Sequence, residues 1–283
     1  LGDLAGTQLA ALNRTQISAI SNTNFATLSE TQIAALTVTQ VGGLSTGQVG
    51  ALSTGQAGAL AATQLAAMSD TQIKAMTATN LSALDSTQFA AITATQINAL
   101  TNTQIAALSA NDVGEFTTTQ IAALNGTQVR AINETTFGAI NETQLAALTA
   151  TQVAAISATN IGLLTETQVD ALTTTQVGAL NASQLRAIST TNLSALDATQ
   201  IGALNATQVR GLTNTQISAL TATDVAEFKT TQISALTTSQ IGALTATNVE
   251  QLAATQLAAL STTQLNRLGT EALSALDATQ VAA

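Results

Sequence analysis

Large apolar side chains recur along this chain in pairs three residues apart, and the pairs themselves recur every eight residues from Thr7 to Thr279 without an insertion or deletion. Labelling the slots a to h from the threonine, the unit reads Thr, Gln, Ile/Val/Leu, small, Ala, Leu, Ser/Thr/Asn/Asp, variable, as in Thr31-Gln32-Ile33-Ala34-Ala35-Leu36-Thr37-Val38. Slot f is large and apolar in every octad, with Phe116, Phe228, Met68 and Met76 among its occupants, and slot c is aliphatic or Phe except at Ala57. A spacing of three suits one face of a helix. A short fixed period over a whole chain is the mark of an array in which each unit buries its apolar face against its neighbours. The register gives 35 octads, the last truncated.

Slot g explains why the helices must be short. It is Ser, Thr, Asn or Asp in 30 of 34 places between Asn13 and Asp277, and slot b, three residues on, is usually Gln. Ser/Thr-x-x-Gln is a capping box: the slot g side chain accepts from the slot b N–H while the Gln side chain reaches back to the slot g N–H. Each octad therefore starts a new helix. The charges agree, since acids favour a first turn and bases a last: Glu30, Asp70, Glu134, Glu142 and Glu166 occupy slot h, Asp85, Asp197 and Asp277 slot g, and Lys74, Arg130, Arg186 and Arg210 slot d. One continuous helix is excluded, because eight residues advance it by about 800° and rotate the apolar pair by about 80° per repeat. A β-solenoid is the remaining rival, favoured by Thr, Ile and Val but opposed by the Ala-Leu pair, the Gln and Ala content and the lack of Gly or Asn at fixed turn slots.

A second period predicts the winding. Slot b departs from Gln at Asn24, Asn80, Asp112, Thr136, Asn160, Asn192, Asp224, Asn248 and Ala272. With Gln48 counted as a silent member, the steps are three or four octads and average about three and a half. The expected fold is all-α: a superhelical solenoid of short capped helices, one per octad, with about 3.5 octads per turn, slots c and f inside, and residues 1–283 forming one continuous domain. Two readings of the non-Gln octads stand side by side. They mark a corner where cap geometry differs, or a ligand or lateral contact stripe; Asp112 with Glu115, and Asp224 with Glu227, are paired carboxylates, though calcium wants six to eight oxygens.

Composition then narrows the chemistry. The chain has no Cys, His, Trp, Tyr or Pro, so disulfides, imidazole or thiolate metal sites and the usual nucleophile–base pairs are unavailable. We expect no enzyme, with no catalytic, cofactor-binding or metal-ligating residues. Sixteen acids against seven Lys and Arg give a net charge of −9, which together with the missing aromatic platform argues against nucleic acid. Polar residues interrupt every octad, so no membrane-spanning stretch exists in the sequence. Leu1 is not an initiator Met, no signal peptide is visible and the last octad stops in mid-pattern, which leads us to expect a segment of a longer protein.

Runs such as Ala35-Leu36-Thr37-Val38-Thr39-Gln40-Val41, and Ala107-Leu108 followed by Ser109, resemble the Thr-Gln-Ile-x-Ala-Leu arrays of very large secreted bacterial proteins described as adhesin-like, haem-utilisation-or-adhesion or calcium-repeat toxin-like. The resemblance covers the whole chain and implies an extracellular or cell-surface setting. The calcium-binding nonapeptide Gly-Gly-x-Gly-x-Asp is not present. The expected role is a structural rod, stalk, spacer or filament-forming segment that associates with itself or stacks with flanking repeats. The alternative is surface binding, to polysaccharide or to ice through Thr-x-Thr pairs such as Thr101 and Thr103. Where the threonines point separates the two.

Overall fold

A computed structural model describes residues 4–282. Contacts group the chain into two compact units, Leu1–Ala147 and Leu148–Ala283. Each is built the same way. Among the described residues there are 35 helices of four to six residues, one per octad, and no strand. The all-α expectation holds and the β-solenoid is overturned.

The octad Ser69–Met76 shows how a unit is made. Ser69 is extended (φ −73°, ψ 159°) and its Oγ accepts from the Gln72 N–H at 3.3 Å, while Gln72 Oε1 accepts from the Ser69 N–H at 2.7 Å. The helix Asp70–Ala75 follows, with Asp70 in its first turn and Lys74 in its last, matching the helix dipole at both ends. Met76 then turns extended (φ −62°, ψ 142°) and Thr77 caps the next helix. Slots f and g are thus the extended link. Among the described residues no residue has positive φ, so the chain reverses direction without glycine turns and without proline. This is why the turn signals of ordinary loops are missing from the sequence.

Beyond Ala5 at the first helix, four octads lack a capping side chain at slot g: Ala61, Lys229, Ala253 and Gly269. At the first three the Gln still accepts from the cap N–H, through Gln64, Gln232 and Gln256. Half a box is enough to start a helix whose neighbours are already placed. Ala61 is exposed and already in capping geometry (φ −68°, ψ 151°). Ala61→Ser is therefore expected to stabilise its unit by up to about 1 kcal/mol, read as a rise in the thermal midpoint of unfolding.

Slots c and f fill the interior of each unit. Ile33, Val49, Ile97 and Val129 in the first, and Val177, Ile201, Val209 and Ile217 in the second, are at most 1% exposed. Phe89 meets Phe116 edge-on, with ring centroids 5.2 Å apart and an interplanar angle of 81°. The small residues of slots d and e let successive turns approach: a Cβ added to Gly211 would lie 3.0 Å from the Ala182 Cβ of the turn before. The helix Asp70–Ala75 packs on the helix Thr46–Gly50, three octads back, and its Gln72 reaches Val41 and Leu44 at the end of the octad four back. A turn therefore holds about 3.5 octads, as the second period predicts.

Candidate functional site

The slot b amide recurs in nearly every octad and, unlike the exposed slot a threonine, is buried; its geometry shows what it does. Gln72, Gln120, Gln184 and Gln240 are at most 3% exposed. In each, the oxygen closes the capping box of its own octad, and the nitrogen donates to two carbonyls of the preceding turn. Gln120 Nε2 donates to Phe89 O at 2.8 Å and Ile92 O at 2.7 Å; Gln184 Nε2 donates to Val153 O and Ile156 O, both at 2.8 Å. The slot f carbonyl, here that of Ile92 or Ile156, lies in the extended link of the turn before, where no helical N–H reaches it. The slot c carbonyl, that of Phe89 or Val153, belongs to the helix just ahead of that link. One amide thus caps a helix, ties two turns together and satisfies the buried slot f carbonyl, which is costly to leave unpaired, while the slot c carbonyl also accepts from the slot f N–H of its own octad.

Sequence reasoning assigned the first of these jobs and missed the second. A signal for it was present, because the departures from Gln mark the turn. Asn24, Asn80, Thr136, Asn192 and Asn248 recur every seven octads, two full turns. Asn80, Asn192 and Asn248, one methylene shorter than Gln, reach the slot f carbonyls of Leu52, Leu164 and Leu220. The marked octads are in register with the winding, and in these three the variant residue serves the turn contact.

Asp112 and Asp224 invert the arrangement. A carboxylate accepts only, so it cannot donate to a carbonyl of the turn before. Asp112 Oδ2 accepts from the Ser109 N–H at 2.7 Å, completing the box, and from the Ser82 hydroxyl of the preceding turn at 2.6 Å. Asp224 Oδ2 accepts from the Thr221 N–H at 2.7 Å. Each Asp is the capping-box residue four positions before a core aromatic, Phe116 or Phe228. Glu115 Oε1 accepts from Asn111 Nδ2 at 2.8 Å, and its Oε2 is buried without a hydrogen bond. Among the described residues no group of three or more acids is gathered closely enough to hold a metal ion.

Two carboxyls carry resolved shifts. Asp197 lies below the usual carboxylate range because it accepts from the Thr199 hydroxyl at 2.6 Å and from the Gln200 N–H at 2.8 Å, with the Thr199 N–H adding a third bond. Glu227 lies above it, chiefly through burial, then through the negative charges of Asp224 and Asp197. A raised carboxyl pKa means that the folded state holds its proton more tightly than the unfolded chain. Its contribution is full below the ordinary value of 4.5 and is lost as pH rises through the folded value. Glu227→Gln is expected to raise stability at pH 7 and to make no difference near pH 3, as thermal melts at the two pH values will show.

An apolar cavity of about 390 Å³ lies in the last turn, lined by Leu257, Leu260, Leu265, Leu273 and Val281. These are slot c and f residues, the positions that successive turns fill elsewhere. Among the described residues no helix is long and apolar enough to cross a membrane.

Comparison with known proteins adds one finding. No curated protein matches the chain. A family model described as the ALTTAQ repeat matches residues 22–54, a stretch that contains Ala35-Leu36-Thr37-Val38-Thr39-Gln40 in the octad register described above.

Proposed function

We propose that this segment is a structural element: a regular, non-catalytic repeat array serving as stalk, spacer or filament-forming part of a bacterial cell-surface or extracellular protein. The observation that carries the reading is the use of the slot b amides. The buried polar side chains that recur octad after octad are consumed in closing boxes and joining turns, which makes geometry the property the repeat serves. The reading includes the absence of a catalytic centre, supported by the missing His, Cys and Tyr.

The placement of threonine supports scaffolding over ice binding. Slot g threonines such as Thr93, Thr117 and Thr173 are engaged as caps. Slot a threonines such as Thr31, Thr103 and Thr199 are exposed, yet one occurs in most octads and about 3.5 octads make a turn, so they are distributed around a unit instead of forming one flat ladder. The test is retention of the purified segment on ice and on insoluble polysaccharides such as chitin and cellulose. No retention is expected. Saturable binding that disappears when exposed slot a threonines are changed to Ala would replace the scaffold by the adhesion reading.

A further inference from the structure

In each unit the slot b Gln amide reaches a slot f carbonyl one turn earlier, from Gln40 to Leu12 through Gln144 to Phe116 in the first, and from Gln176 to Leu148 through Gln280 to Leu252 in the second. Residues separated by that interval therefore lie one over the other, and residues separated by half of it lie on opposite sides. Placed on that turn, the charges separate. In the second unit Asp170, Asp197, Asp224, Glu250 and Asp277 follow one another at steps one or two residues short of the full interval, one carboxylate per turn on one side; Asp224 is buried, so the half-exposed Glu227 presents that turn's charge, and Glu166 stands with Asp170. Arg186, Arg210 and Arg267 follow Asp170, Asp197 and Glu250 by half a turn, to within three residues, and so lie on the other side. The first unit repeats the division. Glu30, Asp85, Asp112 with Glu115, and Glu142 share one side, and Arg14, Lys74 and Arg130 precede Glu30, Asp85 and Glu142 by half a turn, again to within three residues. Asp70 and Glu271, each four residues from a base, and Lys229, two residues after Glu227, are placed against the division, and Glu134 belongs to neither side.

Capping does not account for this. Asp170 and Glu250 are the last residues of the helices Glu166–Asp170 and Ala246–Glu250, where a negative charge opposes the helix dipole. They occupy slot d, the slot that holds Lys74, Arg130, Arg186 and Arg210 on the opposite side. Within slot d, the side of the turn decides the sign. Arg186 and Arg210 are held by Nε–H bonds of 2.9 Å to Gly211 O and Ala235 O of the next turn and remain exposed. In the second unit the carboxylates form a ladder with a rung per turn, at roughly 8 to 10 Å if turns are spaced like packed helices; in the first unit the half-exposed Glu115 stands for the buried Asp112, and the turn between Glu30 and Asp85 has no rung. They are spread out, not gathered as around a metal ion. Because the Debye length is about 8 Å at physiological salt and a turn of short helices is on the order of 20 Å across, each face acts on a partner almost independently of the other.

We propose that copies of this chain associate side by side, the acidic face of a unit in one against the basic face of a unit in the next. The partner is a second copy because the complementary charge is on the chain itself, its bases recurring mostly at every second turn, as from Lys74 to Arg130 and from Arg210 to Arg267. This deepens the structural reading of the segment and rests on it for its setting. Retention on polysaccharide would refute the scaffold without touching the charge pairing, and a monomer at low salt would do the reverse.

The test is sedimentation velocity of the whole chain at 20 mM and 500 mM salt. Concentration-dependent association is expected at low salt, weakened at least tenfold at high salt. Reversing the basic face (K74E, R130E, R186E, R210E, R267E) is expected to abolish it, as is reversing positions of the acidic face that cap no helix (E166K, D170K, E250K), and mixing the two variants is expected to restore association. R186K with R210K keeps the charge and loses the Nε tether; it should associate like the parent, which separates charge from local packing. Circular dichroism confirms that each variant is helical. A parent chain that is monomeric at 20 mM salt, or association indifferent to both reversals, overturns the proposal.

Discussion

Replacing Gln128 by Ala is expected to destabilise the first unit by about 2 to 4 kcal/mol, far more than an exposed cap is worth. Gln128 is fully buried. Its Oε1 accepts from the Asn125 N–H at 2.8 Å, and its Nε2 lies within hydrogen-bonding distance of Ile97 O, Asn98 O and Leu100 O at 2.9, 3.1 and 2.8 Å. Truncation leaves the buried Leu100 O unpaired and takes the partner from the Asn125 N–H and Asn98 O, while Ile97 O keeps its bond from the Leu100 N–H, and a small cavity remains. Gln128→Glu sharpens the test. Its carboxylate still accepts from Asn125 but turns an acceptor toward acceptors, so the variant should approach the parent at pH 3 and fall increasingly below it as pH rises past the ordinary glutamate value. Urea unfolding at several pH values checks both. A loss below about 1 kcal/mol for Gln128→Ala, no more than a typical exposed hydrogen bond is worth, would show that the turn-to-turn amide bonds carry little.

The second large effect is expected at Phe89. Its ring is fully buried against Phe116, and Phe89→Ala should cost about 3 to 5 kcal/mol through lost burial and the cavity left behind. The chain supplies its own control. A shift of fourteen octads takes Phe116 to Phe228 and Phe89 to Ile201, which is also fully buried. Phe89→Ile should therefore cost only about 1 kcal/mol, since the second unit uses that residue at the corresponding place. Because array stability is close to a sum of units and interfaces between neighbours, the alanine variant should expose backbone amides to hydrogen exchange over the octads near Phe89 and Phe116, leaving the chain beyond Leu148 protected.

What the sequence disclosed follows from how far apart the interacting groups lie along it. The capping box spans three residues, and the apolar pair spans three, so Ser69 with Gln72 and Ile73 with Met76 can be read directly as a capped helix with a buried face. The winding was legible at one remove. The drop-outs Asn24, Asn80, Thr136, Asn192 and Asn248 carry the turn length in their spacing, although what the amide nitrogen does across that turn is visible only when Gln120 is seen beside Phe89 and Ile92. Ser82 donating to Asp112 was hidden for the same reason: no local rule joins residues a whole turn apart. The charges were misread in part. Helix-dipole preference explains Lys74 and Asp70, but Asp170 and Glu250 break it, and their arrangement makes sense only once the chain is wound.

The half-integral turn has a consequence for how such an array can grow. One octad inserted anywhere preserves every cap and every apolar pair, so the interior accepts it. It also rotates all that follows by about two-sevenths of a full circle. A charge ladder crossing the insertion would be broken and its later half carried toward the opposite side, while an insertion of seven octads, two whole turns, would restore the alignment. Folding therefore tolerates any number of added octads, whereas a patterned surface tolerates them only in sevens. The seven-octad spacing of Asn24, Asn80, Thr136, Asn192 and Asn248 is the mark such a rule would leave.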